Sequence, residues 1–316
     1  MALHIIVSNS AGPLAEHFRE NIYKKRTADD LFKPEIAVVQ SQGMSVWLNQ
    51  QLADPIAANL KTPFLNSFVD SVLDAICPAE GPLMTEDWLF WKIFRLLLAG
   101  SKEFPELVHY TVGENKTMKA CQLAEKLANL FDQYQIYHRL LLADWRKSEN
   151  DRCWQARLFR RISDGATGRD QRFVQFFRKD FTPDELLKLP RRVTLFGISA
   201  MAPIYFDFFR RLAKFAEVWF YYLNPCKEYW AENSPQRKIA GQAYRRMCAD
   251  EIPEEILGNP LLASLDRQGQ DFFRYLMSIE DVPPDDSCSV FAPLEEETLF
   301  EDRTAEEAES GVLQLL

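Results

Sequence analysis

The sequence contains no GxxxxGK run, no GxGxxG run and no CxxC pair, and it has only four histidines among 316 residues. Each absence removes a chemistry. A phosphate loop needs backbone donors, a lysine and a hydroxyl to hold a nucleotide and its magnesium. The stretch after the opening apolar run is Ser8-Asn9-Ser10-Ala11-Gly12-Pro13, with one glycine, no lysine and a proline that removes a donor. No dinucleotide cradle follows any predicted strand. His4, His17, His109 and His138 are never four apart and never near a cysteine pair, so no metal centre is expected. Cys77, Cys121, Cys153, Cys226, Cys248 and Cys288 are widely spaced and read as free thiols of a reducing compartment. No apolar run is long enough to span a bilayer. The opening MALHIIVSNS lacks a basic segment before its apolar stretch and reads as a buried strand, not a signal peptide. The expectation is a soluble, cytoplasmic protein that holds no cofactor and carries no catalytic site of its own.

Apolar residues make up 47% of the chain and aromatics 13%, enough for a folded body of one or two domains. Charge is unevenly placed. From Glu280 to Leu316 there are twelve acidic side chains and one basic one, Arg303, so residues 1–279 carry +2 although the whole chain carries −9. Residues 139–181 hold eleven basic and six acidic side chains, a mildly basic region.

Hydrophobic spacing separates two kinds of segment. His4–Val7 and Glu35–Val39 read as strands, each followed by a turn and a helix: Leu14, Phe18 and Ile22, then Met44, Trp47, Leu48 and Leu52. Two such units in succession predict a parallel sheet. Between Ser67 and Leu189 only helical periodicity appears. Thr85 caps one helix and Thr182-Pro183-Asp184-Glu185 another. A single long helix is expected from about Thr117 to Trp145, with Leu123, Leu127, Leu130, Phe131 and Tyr134 as its apolar stripe. Strands resume at Val193–Ile198 and Val218–Leu223, with a helix over Pro203–Leu212 between them. Further helices are expected over Arg237–Met247 and Pro260–Met277. The reading is α/β: a sheet domain over 1–62 and 189–279, interrupted between its second and third strands by an all-helical insertion over 63–188. An acidic tail over 280–316 follows.

Four segments have a makeup that suits ligand contact. Gln40-Ser41-Gln42-Gly43 ends a predicted parallel strand, where open sheets meet ligands, and glutamine can contact base edges. Thr62-Pro63-Phe64-Leu65 is a rigid apolar turn able to stack a base, or to pack a loop. Asn129 and Gln133 share a helix face beside Asp132, with Leu130 and Phe131 turned to the core. Arg157, Arg160, Arg161, Arg169 and Arg172 form the basic region, and Arg157 and Arg161 share a face. Taken alone, these segments fit a nucleic-acid binder and a protein-interaction scaffold equally.

Several strings carry a resemblance. Val39-Gln40-Ser41-Gln42-Gly43-Met44 with Trp47-Leu48, Ile56-Ala57-Ala58-Asn59, Leu130-Phe131-Asp132-Gln133-Tyr134 and Phe196-Gly197-Ile198-Ser199-Ala200 are four of them. Asn224-Pro225-Cys226 with Tyr229-Trp230, and Gly258-Asn259-Pro260-Leu261-Leu262-Ala263, complete the set. In order, they resemble the N-terminal region of the gamma subunit of exodeoxyribonuclease V, the RecC family. The resemblance implies a P-loop-helicase-like domain that lacks a functional P-loop. It implies a DNA-repair role in a helicase-nuclease with RecB-like and RecD-like partners, which supply ATP- and magnesium-dependent hydrolysis. It also implies contact with duplex DNA and with the 3′-ended single strand, which the family scans for the signal Chi. Carried over by position, Gln40, Leu130, Asp132 and Gln133 match the family's strand-reading residues, and Phe64 or Leu65 falls at an apolar contact. Gln42 stands for a threonine, Val46 for a glutamine, Asp70 for a tryptophan, Asn129 for an aspartate and His138 for an arginine. Those differences imply altered or absent Chi reading with single-strand contact retained. The alternative is a structural subunit of the same fold whose DNA contacts have lapsed.

Overall fold

Four runs rich in β-branched and aromatic residues form strands, because such side chains fit a pleated surface. They are β1 (Leu3–Ser8), β2 (Glu35–Val39), β4 (Arg192–Phe196) and β5 (Glu217–Leu223); the two-residue β3 (Leu60–Lys61) joins them. This is a computed structural model, and it describes residues 3–25, 33–53, 59–100, 103–147, 153–224 and 267–278. The strand order is β1-β5-β4-β2-β3, with parallel pairing of β1 to β5, β2 to β4 and β2 to β3. Ile5–Val7, Ala37–Val39, Val193–Phe196 and Phe220–Tyr222 are buried, as in strands covered on both faces. At the start of the sheet, the Arg192 guanidinium donates twice to the Glu35 carboxylate, at 2.7 and 2.9 Å, tying β4 to β2.

The chain divides into two compact units. One is built on residues 3–64, 192–200 and 218 onward, and holds the sheet with α1 (Ala11–Phe18) and α2 (Gln42–Leu52). Its core joins Leu14, Phe18 and Ile22 to Val39, Leu48, Phe196 and Tyr221. The helix that begins as α1 ends in a π-helical turn over Arg19–Tyr23. Only Asn9 and Ser10 separate β1 from α1, where the sequence suggested a turn running to Pro13. Gly197, at the end of β4, has φ +65°, and a Cβ there would lie 3.0 Å from the Met44 methyl carbon, so only glycine fits without displacement.

The other unit comprises residues 65–191 and 201–217. It contains α3 (Leu65–Ile76), α4 (Glu86–Ala99), α5 (Pro105–Thr111), α6 (Lys116–Tyr137), α7 (Arg139–Lys147), α8 (Trp154–Ser163), α9 (Arg169–Arg178), α10 (Pro183–Leu186) and α11 (Pro203–Leu212). Leu89, Ile93 and Leu97 of α4 meet Leu127 and Phe131 of α6 and Leu158, Phe159 and Ile162 of α8 in one core. The expected caps are formed. Thr85 Oγ1 accepts the Trp88 N–H at 3.2 Å, and Thr182 and Glu185 exchange side-chain and backbone bonds. Each such cap contributes about 1 kcal/mol.

Three expectations need correction. The helical stretch leaves the sheet after β3, not after the second strand, because Leu60–Lys61 is too short to show alternation but pairs with β2. The single helix over 117–145 is two helices. At His138 the backbone turns to φ −127° and ψ 37°, although its N–H still donates to the Tyr134 carbonyl. Neither glycine nor proline marks this break. It lets Trp145 of α7 return to the core, 5.9 Å from the Tyr134 ring and 6.0 Å from that of Phe159. Third, the basic region is largely committed to internal contacts, as shown below. The expected helix over Pro260–Met277 is described as α12 (Arg267–Met277), in the sheet unit. The expected helix over 237–247 and the acidic tail lie outside the described residues. Among those residues, no helix is long and apolar enough to cross a membrane.

Candidate nucleic-acid interface

In the sheet unit, the carboxyl end of β2 presents a short polar edge. Val39 is buried, and Gln40, Ser41, Gln42 and Gly43 after it are exposed. Ser41 caps α2 by accepting the Met44 N–H at 3.2 Å, which leaves Gln42 at the first helical position facing solvent. Val46, one turn on, is 49% exposed. Phe64 forms a parallel bridge with Val39, and the Val39 N–H donates to the Pro63 carbonyl at 3.0 Å. Phe64 is therefore held beside the last residue of β2, yet its side chain is 44% exposed. The Ser45 and Thr62 hydroxyls meet at 2.6 Å and pin this turn to α2. An exposed ring and exposed amides at the same strand end suit stacking and hydrogen bonding to unpaired bases. Leu65 opens α3 in the helical unit and is half-buried.

In the helical unit, α6 carries a second polar row. Gln133 donates to Asn129 Oδ1 at 2.9 Å, and Asn129 donates to Glu86 at 3.3 Å; both amides are exposed. Leu130 is half-buried against the core. Asp132 is half-buried, with Arg169 Nη1 at 3.8 Å. Burial pushes the Asp132 carboxyl above the usual carboxylate range; Arg169 works the other way, while Glu86 and Asp70 add to the rise. His138 is exposed, its ring edge-on to Tyr134.

The structure joins Arg169 and Asp70 to this row and adds Tyr205 and Gln135, which the sequence did not single out. Arg169, first residue of α9, donates from Nε and Nη2 to the two Asp70 oxygens. Tyr205 of α11 is buried with its hydroxyl unpaired, and burial first of all raises its pKa to about 12. Gln135 is fully buried and touches Asp132, Met84 and Arg169. A signal for it was readable: Ala124, Ala128, Phe131 and Gln135 follow one buried stripe of α6, and a polar residue in that register needs partners.

The arginines are mostly engaged. Arg172 is 2% exposed, donating to Asp74 at 2.5 Å and to the Cys77 carbonyl at 3.1 Å. Arg160 donates to the Trp145 carbonyl. Arg157 pairs with Glu106 at 3.1 Å, and Arg161 stands 3.8 Å from Glu103. These two line a cavity of about 500 Å³ with Glu103, Phe104, Arg160 and Asp164, so the surface there is mixed in charge, not uniformly basic.

Comparison with known proteins agrees with the strings quoted from the sequence. The family model described as RecC, N-terminal domain, matches residues 3–313. The RecBCD enzyme subunit RecC of Escherichia coli K12 is 29% identical over 321 residues, covering 85% of this chain and 28% of that protein. The subunit of the same name from Haemophilus influenzae is 27% identical, covering 89% and 31%. That of Mycolicibacterium smegmatis is 22% identical, covering 78% and 23%. This chain thus spans less than a third of the length of these relatives, and it belongs to the RecC family, in the part that forms the family's N-terminal domain.

Proposed function

We propose that this chain is the N-terminal, strand-contacting part of a non-catalytic subunit in a RecBCD-type helicase-nuclease that acts on DNA breaks. RecB-like and RecD-like partners supply ATP hydrolysis, and a RecB-like partner the nuclease. In this reading residues 1–62 and 189–279 are a motor-like domain that does not run on nucleotide, 63–188 are its helical insertion, and 280–316 are an acidic linker or tail. The two-residue connection between β1 and α1, with neither GxxxxGK nor lysine, supports the loss of nucleotide binding.

One observation carries the reading. The bridge between Val39 and Phe64 holds an exposed aromatic residue at the carboxyl end of the parallel strand that the exposed Gln40 follows, where such folds meet ligands. Gln40, Gln42, Val46 and Phe64 form one strand contact in the sheet unit; Leu65, Asn129, Leu130, Asp132, Gln133 and His138 add contacts in the helical unit. Arg157 and Arg161 add phosphate contacts. With Gln42, Val46, Asp70, Asn129 and His138 differing from the resembled pattern, the strand is held but the familiar Chi signal is not preferred. The test is reconstitution with the partner subunits, then crosslinking to a tailed duplex. Crosslinks from the 3′-ended strand to 40–46 and 129–138, weakened by salt, are expected. Crosslinks confined to the partners would sink the reading, and a preference for the familiar Chi strand would sink its specificity half.

The pairing of Arg157 with Glu106 and the nearness of Arg161 to Glu103 favour a second reading at that surface, in which phosphate contacts have lapsed and the face is structural. Charge reversal at Arg161 would then leave DNA binding unchanged.

A further inference from the structure

Gln135 is 0% exposed on a helix face otherwise built from alanine, leucine and phenylalanine. An amide is costly to bury unless its bonds are met, and this one meets three. Nε2 donates to the Met84 carbonyl at 3.0 Å and to Asp132 Oδ1 at 3.4 Å, and Oε1 accepts the Arg169 N–H at 2.8 Å. These partners fix the amide's orientation: a backbone N–H requires the oxygen, and a carbonyl and a carboxylate require the NH₂. Packing alone does not ask for glutamine here, since methionine or leucine would fill similar volume.

What the amide joins gives it a role. Met84 lies two residues before Glu86, which accepts from Asn129, the partner of Gln133. Arg169 opens α9 and reaches towards both Asp70 and Asp132. One buried group therefore ties the segment before α4, the start of α9 and the carboxylate at the centre of the α6 polar row. Its neighbour is cut to fit. A Cβ on Gly168 would meet Asp170 Oδ1 first, at 2.3 Å, then Arg146 Nη2 at 3.0 Å and Gln135 Oε1 at 3.1 Å.

We propose that Gln135 is a positioning residue for strand selectivity: it sets the Asp132 carboxylate and the start of α9 from below, without touching DNA. The inference rests on the strand-contact reading above. Contacts that position the backbone carry general affinity and base contacts carry selectivity, so the two respond differently when Gln135 changes.

The test uses the full protein in its reconstituted complex. Wild type is first used to enrich a random single-stranded library. Affinities for the enriched strand and for oligothymidylate are then measured by fluorescence anisotropy. Gln135→Met is expected to reduce the preference for the enriched strand by about fivefold or more, with oligothymidylate binding changed less than about twofold. On an Asp132→Ala background, Gln135→Met should add clearly less than it does alone, because the route through Asp132 is then already lost and only the one through the start of α9 remains. If Gln135→Met does not fold, Gln135→Asn keeps an amide but withdraws it by one methylene, and the same loss of preference is expected. An unchanged preference in the folded variant, or a full additional loss on the Asp132→Ala background, would overturn the inference. Failure of wild type to enrich any strand while its partners still bind DNA would instead overturn the reading beneath it.

Discussion

Arg169 grips Asp70 through two hydrogen bonds, Nε to Oδ1 at 3.2 Å and Nη2 to Oδ2 at 2.9 Å, while its third nitrogen stands 3.8 Å from Asp132. One guanidinium is thus shared by two carboxylates from different helices, and Asp70 has the better geometry. Asp70→Ala removes the bidentate partner of a mostly buried cation. Because Asp70 is itself partly exposed, the expected loss is about 1–2 kcal/mol, below that of a fully buried pair. Urea unfolding measures it; an unchanged midpoint would show that Asp132 takes over the guanidinium at no cost.

The Asp132 carboxyl has its pKa raised, chiefly by burial, which reverses the usual sign for an acid. The folded state binds its proton more tightly than the unfolded chain does. Stability therefore falls as pH rises from about 3.8, the ordinary aspartate value, through the folded pKa, and the penalty is constant above that. Asp132→Asn is expected to remove this component and to be slightly more stable than wild type at pH 7. A thermal-unfolding series across pH 3–7 compares the two proteins. A variant less stable than wild type at pH 7 would mean that the Arg169 attraction outweighs burial.

Tyr205 keeps its hydroxyl buried without a partner. Removing an unsatisfied buried polar group relieves its desolvation cost, so Tyr205→Phe is expected to raise stability by about 1 kcal/mol. Calorimetry of the variant is the check. A clear fall in the unfolding temperature would imply that the hydroxyl is bonded in solution, a water being the obvious partner.

Glu35 and Arg192 clamp the starts of β2 and β4, with the carboxylate 7% exposed. Breaking such a pair removes the bidentate partner of a mostly buried cation, at roughly 3 kcal/mol. Glu35→Ala should show that loss in denaturant unfolding. Double replacement with Arg192→Leu should recover part of it, because the mostly buried charge is then gone. Equal loss in the single and double variants would count against this account.

Much of the sheet was legible because its strands are short, apolar and bounded by turn residues. The α11 helix was readable from Pro203 at its start to Leu212 at its end. β3 was not legible, since two residues carry no alternation and only pairing with β2 defines them. The break at His138 was hidden for a different reason. Local propensity favours one continuous helix, and it is the return of Trp145 to the core that turns the chain. In the candidate site, exposure at Gln40, Gln42, Asn129 and Gln133 agrees with their place on polar faces. Arg169 and Arg172, counted as basic surface, are instead drawn inward by Asp70 and Asp74, about a hundred residues earlier in the chain.

The order of amino acids by itself determined four of the five strands and most of the helices among the described residues, the caps at Thr85 and Thr182, the want of a phosphate loop, and the strings that resemble one family. These are local properties, set by side-chain shape, spacing and backbone freedom within a few residues. Tertiary structure alone decided the strand order, the exposure of Phe64 beside the last residue of β2, and the network that joins Gln135, Asp132, Arg169 and Asp70. Those depend on which distant carboxylate or carbonyl meets a buried donor, and desolvation makes that choice only once the chain has closed around it.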